Sequence, residues 1–311
     1  MSARPRGERR LAEFENHRAA MLGLAYQMLG DVGRAEDMVQ DAWLRFQRVD
    51  GEVDAPRAFL TKTVARLCLN ELDSARARRE QARGDRLPEP IDLRSRGLAS
   101  LELLDRVSMA FLVLLQRLTS AERAALLLHD VFDFDHKEVA EILGRSDAAC
   151  RQLLKRARAS LSEGRRSIVV SREEHARMLD AFLRACSAGD RQELMNILAD
   201  DVVMVADAGS KGGTFGRVRN LSGPLVGARR VSAFLAAATP QGAADLATQT
   251  CELNGQPSAL VLRGQGVAAV IQLAIADGRV QGIFMQADPE RLARIIHQVA
   301  SGSRRSVSDP S

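Results

Sequence analysis

Aromatic residues make up only 4% of the 311 residues: one Trp, one Tyr and ten Phe. Lysine is scarcer still. Lys62, Lys137, Lys155 and Lys211 are the only lysines among 44 basic residues, so arginine carries nearly all the positive charge. Arginine forks pair bidentately with phosphate and guanine, whereas lysine acts as a point charge. The four cysteines, Cys68, Cys150, Cys186 and Cys251, are far apart. No CxxC and no Cys/His cluster at zinc spacing is present, so neither a metal, a cofactor nor a disulfide framework is expected. No apolar run reaches the roughly 18 residues that a membrane span needs. The N-terminus is polar and Arg-rich rather than leader-like, which points to a cytoplasmic protein. Disorder is excluded by 46% hydrophobic content and a net charge of only +4. A pI near 9.1 is compatible with nucleic acid but is too mild to argue for it alone.

The first half has helical periodicity. Leu11, Phe14, Met21, Leu24, Ala25 and Met28 recur on one face. Gly30-Asp31 breaks that helix, and Asp31 can cap a second one with Ala35, Met38, Val39, Ala42, Trp43 and Phe46 inward. Pro56 suits the first turn of a third helix, which turns strongly basic at Arg76–Arg79. Residues 81–99 have the composition of a linker, with Gly84, Pro88, Pro90 and Gly97. Helical pattern resumes at Leu101–Leu118. Thr119 and Glu122 form a capping-box signature, and Asp135 with Glu138 repeats it. A short helix, the Gly144-Arg145-Ser146 turn and a longer helix follow helix-turn-helix spacing.

After Gly164 the pattern changes. Helices are expected at 171–188, 190–198 and 226–238. Strands are expected at Val202–Val205, Leu246–Leu253, Ala259–Leu262, Val267–Ala276 and Val280–Gln286. Asn254-Gly255 and Asp277-Gly278 are hairpin signals between strand-like runs. The expected sum is a small α+β domain with a run of antiparallel strands and a last helix opened by Asp288-Pro289. The segment 301–311 has the composition of a disordered tail.

Charge is segregated. On the helix after Ser146, Cys150, Leu153, Leu154, Ala157 and Leu161 share one side, while Ala148, Arg151, Gln152 and Lys155 share the other. Small Ala148 and Ala149 would let its N-terminus approach a surface. With Arg145, Arg156 and Arg158, this face has what major-groove reading requires. The third helix adds Arg66, Asn70, Arg76, Arg78 and Arg79 as a second basic set for phosphate or base contact. The second helix instead presents Asp37, Gln40, Asp41 and Trp43, a surface suited to a basic protein partner. Like charges at Asp37 and Asp41 cost a few tenths of a kcal/mol in an isolated helix.

These residues carry a resemblance. The run Asp31-Val32-Gly33-Arg34-Ala35-Glu36-Asp37-Met38-Val39-Gln40-Asp41-Ala42-Trp43-Leu44 resembles the core-polymerase-binding helix of bacterial extracytoplasmic-function (ECF) sigma factors. Arg66, Asn70, Asp73, Arg76, Arg78 and Arg79 match the spacing of their −10-reading helix, and 138–161 resembles their −35-reading domain. The rest is similar to a subgroup with a SnoaL-like C-terminal extension. Leu87-Pro88-Glu89-Pro90 resembles its linker motif, with Arg86 where a Trp is usual. Asp207-Ala208-Gly209-Ser210-Lys211 and Asp288-Pro289 resemble motifs of the extension.

The resemblance implies a multidomain chain: two all-α sigma domains (8–80 and 100–164, linker 81–99), then an α+β SnoaL-like cone-shaped domain (170–300). It implies a factor that binds core RNA polymerase and promoter DNA. Leu87, Pro88, Glu89, Pro90, Asp207, Lys211, Asp288 and Pro289 would be regulatory residues acting in cis, with no dedicated anti-sigma factor. Two other readings stand beside it. A stand-alone helix-turn-helix regulator would leave residues 31–79 unused. A fused SnoaL-like enzyme would need an acid–base group such as Asp207 with Lys211. The α+β part could also hold a small-molecule ligand without turnover.

Overall fold

The computed structural model describes residues 6–79, 86–93, 107–162, 170–209, 214–215, 218–219, 223–238, 246–264 and 266–296. The expected tail 301–311, and residues 101–106 of the helix expected at 101–118, lie outside these. The chain divides into two compact units. One comprises Met1–Arg83 and Phe111–Arg165; the other comprises Gly84–Ala110 and Arg166–Ser311.

The first unit is helical. Helix α1 (Arg6–Leu29) ends at Gly30, whose φ of +66° suits glycine. Asp31 then caps α2 (Val32–Arg48), accepting the Arg34 N–H at 3.0 Å. Helix α3 (Pro56–Arg79) completes a trio around Phe14, Leu24, Met28, Val39, Phe46, Leu60 and Val64. The expected inward Leu11 is instead 48% exposed, because it lies in the first turns of α1 ahead of the densely buried run from Met21 to Leu29.

Helices α4 (Met109–Gln116), α5 (Ser120–Asp130), α6 (His136–Leu143) and α7 (Asp147–Ser162) follow. Both expected capping boxes form, Thr119 with Glu122 and Asp135 with Glu138. Gly144 caps α6 in the left-handed conformation, φ +61°, and lets the Arg145 N–H reach back to the Ala140 carbonyl at 3.0 Å. Ser146 starts α7 one residue on, accepting the Ala149 N–H at 3.3 Å. The turn between α6 and α7 therefore follows directly from Gly144-Arg145-Ser146.

The second unit is α+β. Helices α8 (Arg172–Ala188) and α9 (Arg191–Ile197) lead into β1 (Leu198–Asp207). The short strands β2 (Thr214–Phe215) and β3 (Val218–Arg219) pair only with each other. Strand β4 (Leu225–Val226), helix α10 (Ala228–Ala238) and strands β5 (Leu246–Leu253), β6 (Gln256–Arg263), β7 (Gly266–Ala276) and β8 (Arg279–Gln286) follow. A last helix, α11, spans 289–296. The sheet order is β4-β1-β8-β7-β6-β5.

Two expectations are corrected. The sheet is mixed rather than antiparallel throughout, because β1 runs parallel to β8. Alternation marks which face a residue occupies but not strand direction. Val226 is strand rather than helix, forming β4 together with Leu225. They pair with β1, and Gly227 at φ +97° separates them from α10.

The hairpin signals are realised. Asn254 and Gly255 have φ +53° and +71° between β5 and β6, and Asp277 and Gly278 have +52° and +66° between β7 and β8. Two left-handed residues in succession match the right-handed twist of the flanking strands. Alternation then gives the sheet two buried faces. Val261, Ile271, Leu273 and Ile283 pack with Leu179, Phe182, Leu194 and Val231 of α8, α9 and α10. Leu260 and Val270 pack on the other face with Leu292 and Ile295 of α11.

Candidate nucleic-acid interface and linker seat

The basic face of α7 forms as expected. Cys150, Leu153, Leu154, Ala157 and Leu161 are buried. Arg145, Arg151, Gln152, Lys155, Arg156 and Arg158 are all exposed. Three of these already have carboxylate partners. Arg151 pairs with Asp147 on the same helix at 2.9 Å, Arg156 with Glu122 at 3.1 Å, and the Arg158 Nε reaches Asp130 at 3.1 Å. The last two tie α7 to α5. Burial opposes ionisation of Asp130, but hydrogen bonds from Arg158 and His129 outweigh it and hold the carboxyl below its usual range. Among the described residues, no ion pair engages Arg145 or Lys155.

The basic end of α3 is described only in part. Arg76, Arg78 and Arg79 lie within its helical range, but their side chains fall outside the described ones. Asn70 is exposed. Arg66 faces the helix-turn-helix: its Nη2 donates to the Glu141 carbonyl at 2.9 Å and its Nε to the Ile142 carbonyl at 3.3 Å. These are C-terminal carbonyls of α6, which no intrahelical N–H satisfies. Lys62 pairs with the Glu141 carboxylate beside them. Deeper in this unit, buried Arg123 donates to the Leu115 carbonyl at 2.9 Å and to the Met28 carbonyl at 2.5 Å.

On α2, Asp37, Gln40 and Asp41 are exposed, as is Leu44 at 40%. Trp43 is half-buried, its ring 4.8 Å from that of Phe14 and 6.5 Å from that of Phe46. It is thus part core and part surface. Arg34 pairs across to Glu71 of α3 at 3.4 Å.

The linker motif lies in a seat. Leu87, Pro88, Glu89, Pro90 and Ile91 are buried. The Leu87 N–H donates to Asp207 Oδ2 at 3.0 Å, and the Leu87 carbonyl accepts from Arg291 at 2.8 Å and Gln286 at 3.4 Å. Arg86 pairs with Asp288, and Arg294 with Glu89 at 3.3 Å. Farther along, Asn254 accepts the Ile91 N–H through Oδ1 at 3.2 Å and returns its own N–H to the Ile91 carbonyl at 2.8 Å. Its Nδ2 donates to the Val107 carbonyl at 2.9 Å. The peptide groups of Leu87 and Ile91 are thus satisfied by side chains and loops, as in a sheet ladder without a strand.

The seat brings together Leu87, Pro88, Glu89, Pro90, Asp207 and Asp288, which the sequence had linked only by resemblance, while Pro289 is exposed at the start of α11. Lys211 lies outside the described residues. The seat also uses Asn254, read from the sequence only as a turn residue, Arg291, which follows Asp288-Pro289 in the motif that resembles one of the extension, and Gln286 and Arg294, which sequence reading had not singled out. A signal existed for Gln286 and Gln272: Gln272 interrupts apolar β7 and Gln286 ends the apolar run of β8, each at a buried position. Gly209 is required here, with φ +76° and a hypothetical Cβ only 2.7 Å from the Asp288 carboxyl carbon. Among the described residues no group of three or more His, Cys, Asp or Glu side chains could hold a metal, and no helix is long and apolar enough to cross a membrane.

Residues 14–78 match the family model for sigma-70 region 2, and residues 108–161 match that for sigma-70 region 4. Together they define a sigma-70-type factor carrying both regions on one chain. The chain is 33% identical over 299 residues to the probable ECF RNA polymerase sigma factor SigI of Mycobacterium tuberculosis (strain CDC 1551 / Oshkosh), covering 94% of this chain and 97% of that protein. It is 32% identical over 296 residues to the ECF RNA polymerase sigma factor SigJ of M. tuberculosis H37Rv, covering 90% and 92%. The crystal structure of M. tuberculosis SigJ superposes with a TM-score of 0.69 at 28% identity, covering 91% of this chain and 98% of that one. The chain belongs to the ECF RNA polymerase sigma factors. Its helical sigma regions followed by an α+β region with a mixed sheet match the SigJ structure.

Proposed function

We propose that this factor binds core RNA polymerase through the exposed face of α2 and reads two promoter elements. Asp37, Gln40, Asp41 and the outer edge of Trp43 supply an acidic, partly aromatic surface for a basic partner. Arg145, Arg151, Gln152 and Lys155 on α7 read the −35 element in the major groove, with Arg156 and Arg158 at the flank. Arg66, Asn70, Arg76, Arg78 and Arg79 of α3, with the loop 49–56, contact the melted −10 strand. Phe59 is the only aromatic residue of α3. Capture of an extruded base by the loop therefore fits better than extended stacking.

The C-terminal α+β unit acts in cis through the linker. The domain limits consistent with this reading are 8–80, 100–164 and 170–300, with 81–99 as the regulated connection. The observation that carries it is the buried seat of Leu87–Ile91, in which each bonded peptide group has a partner in the second unit. Asp207 serves there as a buried acceptor, which favours a structural over an acid–base role. The reading extends to a cytoplasmic, non-catalytic factor that needs no separate anti-sigma protein. The test is run-off transcription with core polymerase, comparing the full chain with a truncation after residue 168. The expected outcome is promoter-specific transcription whose level changes on truncation. Equal output from the two would overturn cis regulation, and output from neither would overturn the promoter reading.

A further inference from the structure

The first turns of α1 hold a cluster of arginines that neither promoter contact nor the core-facing surface uses. Arg10 is 7% exposed, yet its guanidinium meets carbonyls rather than a carboxylate. Its Nη1 donates to the Gln47 carbonyl at 2.7 Å, and its Nη2 to the Val49 and Gly51 carbonyls, each at 2.7 Å. Arg6 reinforces two of the same acceptors, Val49 at 2.7 Å and Gly51 at 2.9 Å. Arg9 pairs with Glu52 at 3.0 Å. The Arg10 guanidinium also lies 5.5 Å from the centroid of the buried Phe46 ring.

These acceptors are the end of α2 and the start of the loop to α3. A helix C-terminus leaves carbonyls without N–H partners and carries partial negative charge. Many helices satisfy them with a left-handed residue immediately after the last turn. Here Val49 is extended, with φ −65°, and Gly51 is the left-handed residue, with φ +81°. The backbone thus leaves α2 as a loop whose carbonyls point back at α1. The planar fork of Arg10 spans three of them at once, a task for which the single ammonium of lysine is poorly shaped. Meanwhile Asp50, Gly51, Glu52, Asp54 and Ala55 remain exposed. The loop is fixed from behind by its main chain and open in front.

We propose that Arg6 and Arg10 are positioning residues for promoter opening: they hold the loop 49–55 in one shape so that it can receive an unpaired base of the −10 strand. The proposal rests on the reading that this loop contacts the melted −10 strand, and it assigns a role to two residues that touch no DNA. A preorganised loop meets the strand without first losing its own backbone freedom. Loss of the clamp would therefore leave the docking steps intact and slow the step in which the base is captured.

The experiment uses holoenzyme assembled from core polymerase and the full chain, with templates selected by the unsubstituted holoenzyme from a pool randomised in the −35 and −10 segments. Arg6→Ala, Arg10→Lys and their combination are compared, with melting curves to establish that each is folded. Because Arg6 is exposed, Arg6→Ala keeps the test intact even if Arg10→Lys melts early. Core affinity and binding to −35 duplex are expected to stay within about twofold. Strand opening, read by permanganate reactivity of −10 thymines, is expected to fall by about tenfold in the double variant. Selection at −10 positions is expected to flatten, while that at −35 is retained. Unchanged opening in the folded double variant would overturn the clamp, as would a parallel loss of core affinity. If substituting Asp50 and Glu52 also leaves opening unchanged, the underlying reading of the loop has failed; if only those substitutions impair opening, the clamp alone has.

Discussion

His175 sits in the first turn of α8, 4% exposed, with no hydrogen-bond partner for its Nε2 among the described residues. Burial pushes its pKa down to about 4, against about 6.5 when exposed. Between these values the unfolded chain binds the extra proton and the folded chain does not. Stability therefore rises with pH through this window and is lost as pH falls from about 6.5 towards 4. The full swing is on the order of 3 kcal/mol. The melting temperature of the second unit should drop between pH 7 and pH 5, and His175→Leu should flatten that dependence. An equally steep dependence in the variant would assign the acid sensitivity elsewhere. The thiols behave differently: burial pushes Cys186 and Cys251 up to about 12, so both are poor nucleophiles. At this scale the sequence was half legible. Asn254 could be read as a turn residue because the hairpin demands a left-handed conformation. Its three linker contacts could not, since their partners are as much as 163 positions away.

Elements were far more legible than their pairings. Caps and left-handed glycines act within four residues, so Asp31, Thr119, Asp135, Gly144 and Ser146 each fix a boundary locally. The direction of β1 and the partners of α7's arginines depend on distant chain, and neither follows from a local pattern. Those partners now separate residues that looked equivalent. Lys155 is exposed and engaged by no ion pair among the described residues, whereas Arg156 spans to Glu122. Lys155→Ala should weaken holoenzyme binding to −35 duplex by about 1–3 kcal/mol if it reads a base, or lower the salt slope by about one if it meets phosphate. Arg156→Ala should cost less binding, because its guanidinium already has a carboxylate partner. Gel-shift titrations at two salt concentrations measure both, and a larger loss for Arg156→Ala would reverse the assignment. The Arg66 bonds to α6 bear on the same question: a side chain holding two carbonyls of the helix-turn-helix must release them before it can meet DNA.

For the whole molecule, the central observation is that one short extended segment is held by residues from β1, the β5–β6 turn, β8 and α11. A buried N–H left without its acceptor costs about 1–3 kcal/mol. Asp207→Ala in the full chain should therefore loosen Leu87 without removing the domain. The expected readouts are faster proteolysis between residues 80 and 100 and a shift of run-off output towards that of the truncation after residue 168. Native protease resistance together with native output would show that the seat is not a control point. The sequence indicated that 81–99 was a connection from its Gly, Pro and mixed charge. It could not show that Leu87–Ile91 is as buried as a core strand, because the groups that make this possible lie elsewhere in the chain.

The bond between Arg291 and the Leu87 carbonyl joins residues 204 positions apart. The ribosome makes the chain in order, at about 5–20 residues per second, so the linker emerges roughly 10–40 s before the last part of its seat. Once α7 has also emerged, both sigma regions exist while α11, the last part of the seat, is still to be made. If the seat restrains the factor as proposed, every newly made molecule passes through an unrestrained period whose length is set by the time needed to translate the rest of the C-terminal region. On that reading, slow or interrupted translation of the last third of the message would lengthen it, and the rate of protein synthesis would become an input to this factor.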